Sequence, residues 1–154
     1  MVDKERLHKK LKLQTVRNIL KTLNGVKILY IYENSDPILE RISENFSDMG
    51  RYTYSKQPDS KISVKSDDIL IYQWIIENMK LKNNDILFLL CEGIWIKIQI
   101  IEVMSATQCL WNNIDTLCKG FTVLNEEMDK LLEVGNDSRD EWNFLFDEYS
   151  ITKF

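Results

Sequence analysis

The sequence predicts an α+β fold with a mainly antiparallel sheet, an N-terminal helix and further helices packed on that sheet. Three observations carry this. Leu7, Leu11, Val16, Ile19, Leu20 and Leu23 recur at near-helical spacing over residues 4–23. Two strand-like runs, Ile86–Cys91 and Ile94–Ile100, are separated only by Glu92-Gly93, a hairpin signal. Short β-rich runs then follow one another toward the C-terminus, with no alternating strand-and-helix pattern of the parallel kind.

The elements follow in order. Asn24-Gly25 ends the first helix. Val26–Glu33 is short and rich in β-branched and aromatic residues, so it reads as a strand. Ser35-Asp36-Pro37 supplies an N-cap, an acid and an early proline for a helix to about Ser47, with Leu39, Ile42 and Phe46 on one side. Tyr52–Tyr54 and Ile62–Val64 are candidate short strands around a loop at Gln57–Lys61. Ser66-Asp67-Asp68 opens a helix whose residues 69–79 are apolar nearly all round, which predicts extensive burial. Lys82–Asp85 is a turn. In the hairpin, Ile94, Ile96, Ile98 and Ile100 form a core face, and the half-polar face opposite is a candidate for exposure. Ser105 is expected to cap a helix to about Asp115. Phe121–Leu124 and Leu131–Val134 read as strands, with turns at Asn125–Asp129 and Gly135–Ser138. Glu141–Tyr149 alternates as a last strand, with a helix from Ser138 as the other option. The chain, 1–154, is read as one domain: a basic helix at 1–24 and an α+β core at 26–149.

Composition excludes several chemistries. The single histidine, His8, lies among lysines near the N-terminus and is a poor base for nucleophilic catalysis. Cys91, Cys109 and Cys118 form no short-spaced metal pair, so neither metal nor cofactor is expected. Their odd number and the charged N-terminus point to free thiols in a cytoplasmic protein, each thiol serving as a small buried hydrophobe. No Gly-rich phosphate loop and no apolar run of membrane-spanning length is present. The sequence therefore reads as a non-enzyme.

Charge is polarised. Residues 1–27 hold eight basic and two acidic side chains, a balance of +6, while residues 83–154 reach −8. The basic face of the first helix is either a solvated surface or a contact for something anionic, the chain's own acidic part included. Residues 125–149 alone carry −7, with Trp142, Phe144, Phe146 and Tyr149 interleaved. Acids with aromatic anchors suit a basic protein partner, since charge steers encounter and aromatics fill pockets. The plainer reading is a solvated edge that discourages sheet-to-sheet association. The candidate contacts are Glu126, Glu127, Asp129, Asp137, Asp140, Glu141 and Trp142. Direct nucleic-acid binding is not expected, because only the N-terminal arm is basic and it lacks aromatics before Tyr30.

The runs ILYIYENSDPILERI (residues 28–42), ILFLLCEGIWIKIQI (86–100), the helix at 105–115 and FTVLNEEMDKLLEVGNDSRDEWNFLFDEY (121–149) resemble bacterial immunity proteins of contact-dependent growth inhibition and related polymorphic toxin systems. That resemblance implies a small cytoplasmic antitoxin that binds one cognate toxin C-terminal domain, often a nuclease, and covers its active site or substrate surface. It carries over no individual residue. The alternative reading is a small-molecule-binding or regulatory module with a pocket near Trp74, Trp95 and Trp111.

Overall fold

The computed structural model describes residues 2–34, 36–50, 56–115 and 117–151, with side chains omitted at residue 2 and at residues 46–50. The expected Ser35 cap and the Tyr52–Tyr54 strand lie outside the described residues. The order is α1 (Val2–Leu20), β1 (Val26–Ile31), α2 (Pro37–Gly50), β2 (Ser60–Ser63), α3 (Asp68–Met79), β3 (Ile86–Cys91), β4 (Ile94–Ile100), α4 (Val103–Asn113), β5 (Gly120–Asn125), β6 (Lys130–Asp137) and β7 (Asp140–Ser150). The strands form a seven-stranded sheet in the order β1-β4-β3-β5-β6-β7-β2. Every neighbouring pair is antiparallel. The fold is thus α+β with an antiparallel sheet, as the sequence predicts.

Alternation along the strands gives the sheet two faces. One packs against α1, α3 and α4: Leu89, Ile96, Ile98, Ile100, Val123 and Val134 meet Val16, Ile75, Leu110 and Trp111 in one core. The other is covered in part by α2, whose Leu39 and Ile42 sit with Phe88, Trp95, Leu124 and Leu131. The half-polar face of β4 is therefore not open as expected: Trp95 is buried and its indole N–H donates to Ser43 Oγ at 2.8 Å. A bulge between Ile28 and Tyr30 lets Val26, Ile28 and Ile31 all reach the helical core, leaving Leu29 outside.

The β3–β4 hairpin forms as expected. Glu92 and Gly93 both have positive φ, 51° and 77°, the geometry whose twist matches a two-residue hairpin. α1 ends at Leu20, before the expected Asn24-Gly25 stop; Gly25, with φ 74°, instead turns the chain into β1, and its carbonyl accepts from the Ile101 and Glu102 amides.

Several local expectations are corrected. Leu7 and Leu11 are 57% and 55% exposed, because the core reaches α1 only from about Val16 onward. In α3, Ile71, Tyr72, Ile75 and Met79 are buried, but Ile69 and Leu70 are 55% and 52% exposed. The helix lies over the β2 edge of the sheet, Trp74 Nε1 donating to Ser60 Oγ at 2.8 Å, and only one side of it meets the core. Glu102, not Ser105, caps α4, its carboxylate accepting from the Met104 and Ser105 amides, and hydrogen bonding pulls its pKa down. Gly135–Ser138 is not a turn: β6 continues to Asp137, and the reversal falls at Ser138-Arg139. The last segment is a strand, not a helix.

Candidate partner-binding surface

The seven residues predicted to contact a partner do not form one patch. Glu126, Glu127 and Asp129 lie at the start of β6, and Asp137, Asp140, Glu141 and Trp142 at its far end. The seven steps between Lys130 and Asp137 separate the groups by about 24 Å. Their environments also differ. Asp129 closes its own turn, its amide donating to Asn125 Oδ1 at 3.0 Å. Asp137 pairs with Arg139 at 2.8 Å. Asp140 accepts from the Trp142 amide and from Asn143 Nδ2, each at 2.9 Å, and these bonds hold its carboxyl below the usual range. Glu126, Glu127 and Glu141 are exposed, and Trp142 is 67% exposed. The other interleaved aromatics are not anchors: Phe144 and Phe146 point into the helical core, where Trp111 meets Phe144 edge-on at 4.8 Å between ring centroids.

Trp142 has neighbours that the sequence reading placed elsewhere. Its carbonyl accepts from the Val64 amide at 3.0 Å. That connection runs directly into Asp67, Asp68, Ile69 and Leu70, all exposed. The backbone bond thus joins the strand that carries Asp140, Glu141 and Trp142 to the segment that leads into exposed Lys65, Asp67, Asp68, Ile69 and Leu70, and Lys61 acts on Asp140 electrostatically, so both signs of charge are present at this corner. The helix-start pattern had marked Asp67 and Asp68 as capping residues, yet Asp67 makes no side-chain cap bond. The available signal was the run Ile69-Leu70-Ile71, because three consecutive apolar residues on a helix cannot all face one core.

Between the two groups lies a buried ion network that sequence reasoning missed. Asp147 is 3% exposed, on the α2 face of β7. It pairs with Lys56 at 2.8 Å and with Arg139, whose guanidinium also donates to the Lys56 carbonyl at 3.0 Å. Burial opposes the charge on Asp137, but the hydrogen bonds from Arg139 outweigh it and lower its pKa. Glu133 faces Asp147 directly across the strands. Desolvation, with added repulsion from Asp147 and Asp137 only partly offset by Arg139, pushes the Glu133 carboxyl up to about 7. Burial and the same acids also raise the Tyr149 phenol. Glu133, Asp137, Arg139 and Asp147 come from one hairpin, but their convergence depends on its register, and Lys56 arrives from 91 residues away.

The remaining candidates disperse. Trp111 is in the helical core, Trp74 binds Ser60, and Trp95 lines a cleft of about 460 Å³ with Tyr32, Leu39 and Ile94, so the three tryptophans share no pocket. His8 is exposed. Cys91 is buried, as expected, but Cys109 is half-buried and Cys118 exposed. Among the described residues, no three His, Cys, Asp or Glu side chains gather to hold a metal, and no helix is long and apolar enough to cross a membrane. No protein-family model, curated protein or solved structure matches the chain.

Proposed function

We propose that this protein is a non-enzymatic, cytoplasmic immunity protein that neutralises a basic toxin domain, a nuclease being the expected class, by covering its active site or substrate surface. The observation that carries the reading is the corner at Trp142: a largely exposed tryptophan on β7, next in the chain to Asp140 and Glu141 and joined through Val64 to the segment that leads into exposed Asp67, Asp68, Ile69 and Leu70, with Lys61 and Lys65 among them. An apolar centre with a charged rim is the anatomy of a protein interface. The acids accelerate encounter with a cationic cleft, and Trp142 supplies the anchoring contact. Glu126, Glu127 and Asp129 lie too far along β6 to share that centre, so they act as peripheral steering charges.

The test is co-purification with the product of the gene immediately upstream, followed by association kinetics of variants. Trp142→Ala is expected to weaken the complex about 30-fold, mainly through faster dissociation. Glu141→Lys is expected to slow association and flatten its salt dependence. A tight complex indifferent to both changes would remove this corner from the interface. The small-molecule reading retains the cleft at Trp95. A ligand that raises the melting temperature without any protein partner would favour it.

A further inference from the structure

We infer that the exposed side of α1 is a sequence-independent binding ridge for the phosphate backbone of a nucleic acid, separate from the acidic corner. Successive residues of a helix turn by about 100°, which places Arg6, Lys10, Arg17 and Lys21 within a sector of about 60°. Lys9 borders that sector on the side of the protein body, where its Nζ donates to Asn34 Oδ1 at 3.5 Å. These five cations line a groove of about 800 Å³ between α1 and residues 33–34, with Gln14 and Asn18 among them. Glu33 is the one carboxylate in its lining, and it is paired with Arg17. Arg6 to Lys21 spans about 22 Å, the axial rise of roughly six base pairs.

The acidity of the C-terminal part does not cancel this field. The bond from Lys9 to Asn34 and the pair Arg17–Glu33 fix the ridge at the β1 edge of the sheet. β6 and β7 lie four and five strands away, about 19–24 Å. That exceeds two Debye lengths at physiological salt, about 8 Å each. Asp36, Glu40 and Glu44 are nearer: they line the cleft at Trp95, which shares Lys9, Glu33 and Asn34 with the groove, so they weaken the field at its Lys9 side and leave Arg6, Lys10 and Lys21 outside that cleft. An anionic membrane is the less suitable partner, because the basic surface is concave and the exposed apolar groups near it are divided between α1 (Leu7, Leu11) and β1 (Leu29, Tyr30) and do not form one helix face. No aromatic side chain lines the groove to stack on bases, so contact is with phosphates and carries no sequence preference.

The experiment is fluorescence anisotropy of the full chain with two labelled 20-base-pair duplexes of unrelated sequence. Four cations remain after Arg17 is paired with Glu33. Neutralising four phosphates predicts a loss of affinity of roughly 150-fold between 50 and 200 mM salt, the same for both duplexes. Lys10→Glu with Lys21→Glu should weaken binding more than tenfold and halve the salt slope. Lys65→Glu with Lys80→Glu, the same charge change at other exposed sites, should leave both unchanged. The inference is overturned if no binding is seen at 20 mM salt, or if both variant pairs weaken binding equally. Binding of phosphatidylserine vesicles in preference to DNA also overturns it.

Discussion

Glu133→Gln should stabilise the protein above neutral pH and remove part of its pH dependence. Glu133 titrates near 7 in the folded protein against an ordinary value of 4.5. A folded-state pKa above the unfolded one means that the native state holds the extra proton between the two values. The contribution of Glu133 to stability is therefore full below about 4.5 and is lost as pH rises from there through 7. The gap between 4.5 and about 7 corresponds to roughly 3 kcal/mol, the cost of ionising this carboxyl where burial strips it of water and Asp147 and Asp137 repel it. Glutamine is uncharged at every pH and keeps the shape. The assay is urea unfolding of wild type and variant at pH 5, 6, 7 and 8. The difference between the two isolates Glu133 from every other titrating group. The variant should gain on the wild type with rising pH, by about 2–3 kcal/mol in all between pH 5 and 8. A difference that stays flat over this range would refute the reasoning. So would a variant that loses ground at pH 8.

Three further outcomes follow from the same structure. Arg139→Met removes one of two cations from buried Asp147 and should cost about 3–5 kcal/mol in denaturant unfolding, whereas Arg139→Met with Asp147→Leu should recover much of that loss. Gly25→Ala places a Cβ 2.6 Å from the Glu102 carbonyl oxygen at φ 74°, and should lower stability by at least about 1 kcal/mol. Cys118 is exposed and should react fastest with a thiol reagent, Cys109 more slowly, and Cys91, buried and with its thiol pushed up to about 12, only on unfolding.

What was legible in the sequence was local. The β3–β4 hairpin is specified by two residues, and Glu92-Gly93 adopts the backbone that those residues predict. The Gly-Asn-Asp-Ser run at 135–138 has the composition of a turn, but cross-strand pairing carries β6 through Asp137, and Asp137 then holds Arg139 at the reversal. Alternation places Phe144 and Phe146 on the core face and puts Trp142 on the same side, yet Trp142 is outside the core and 67% exposed. A pattern gives the face and not the length over which that face is covered. Leu7, Leu11, Ile69 and Leu70 diverged from expectation for the same reason. Lys56 and Asp147 are 91 residues apart, so their pairing had no local signal at all.

The charge pattern acquires a geometry that sequence arithmetic lacked. A basic helix and an acidic C-terminal part could have neutralised each other by packing together. Instead α1 is fastened at the β1 edge, while exposed Glu126, Glu127, Glu141 and Glu148 are carried by β6, β7 and their connections toward the opposite edge, with Glu92 and Glu102 left at the ends of β4. The inner acids are spent on structure: Asp147 and Asp137 hold Arg139, and Asp129 closes a turn. The outer ones, with Trp142, Ile69 and Leu70, stay exposed and form the surface proposed for the partner. Because the two poles are separated by more than the screening length, each should respond to its own substitutions and its own salt dependence. Reversing Lys10 and Lys21 should therefore leave the association at the Trp142 corner unchanged. Reversing Glu141 should leave the ridge unchanged. Cross-talk between the two measurements would show that the poles act as one surface.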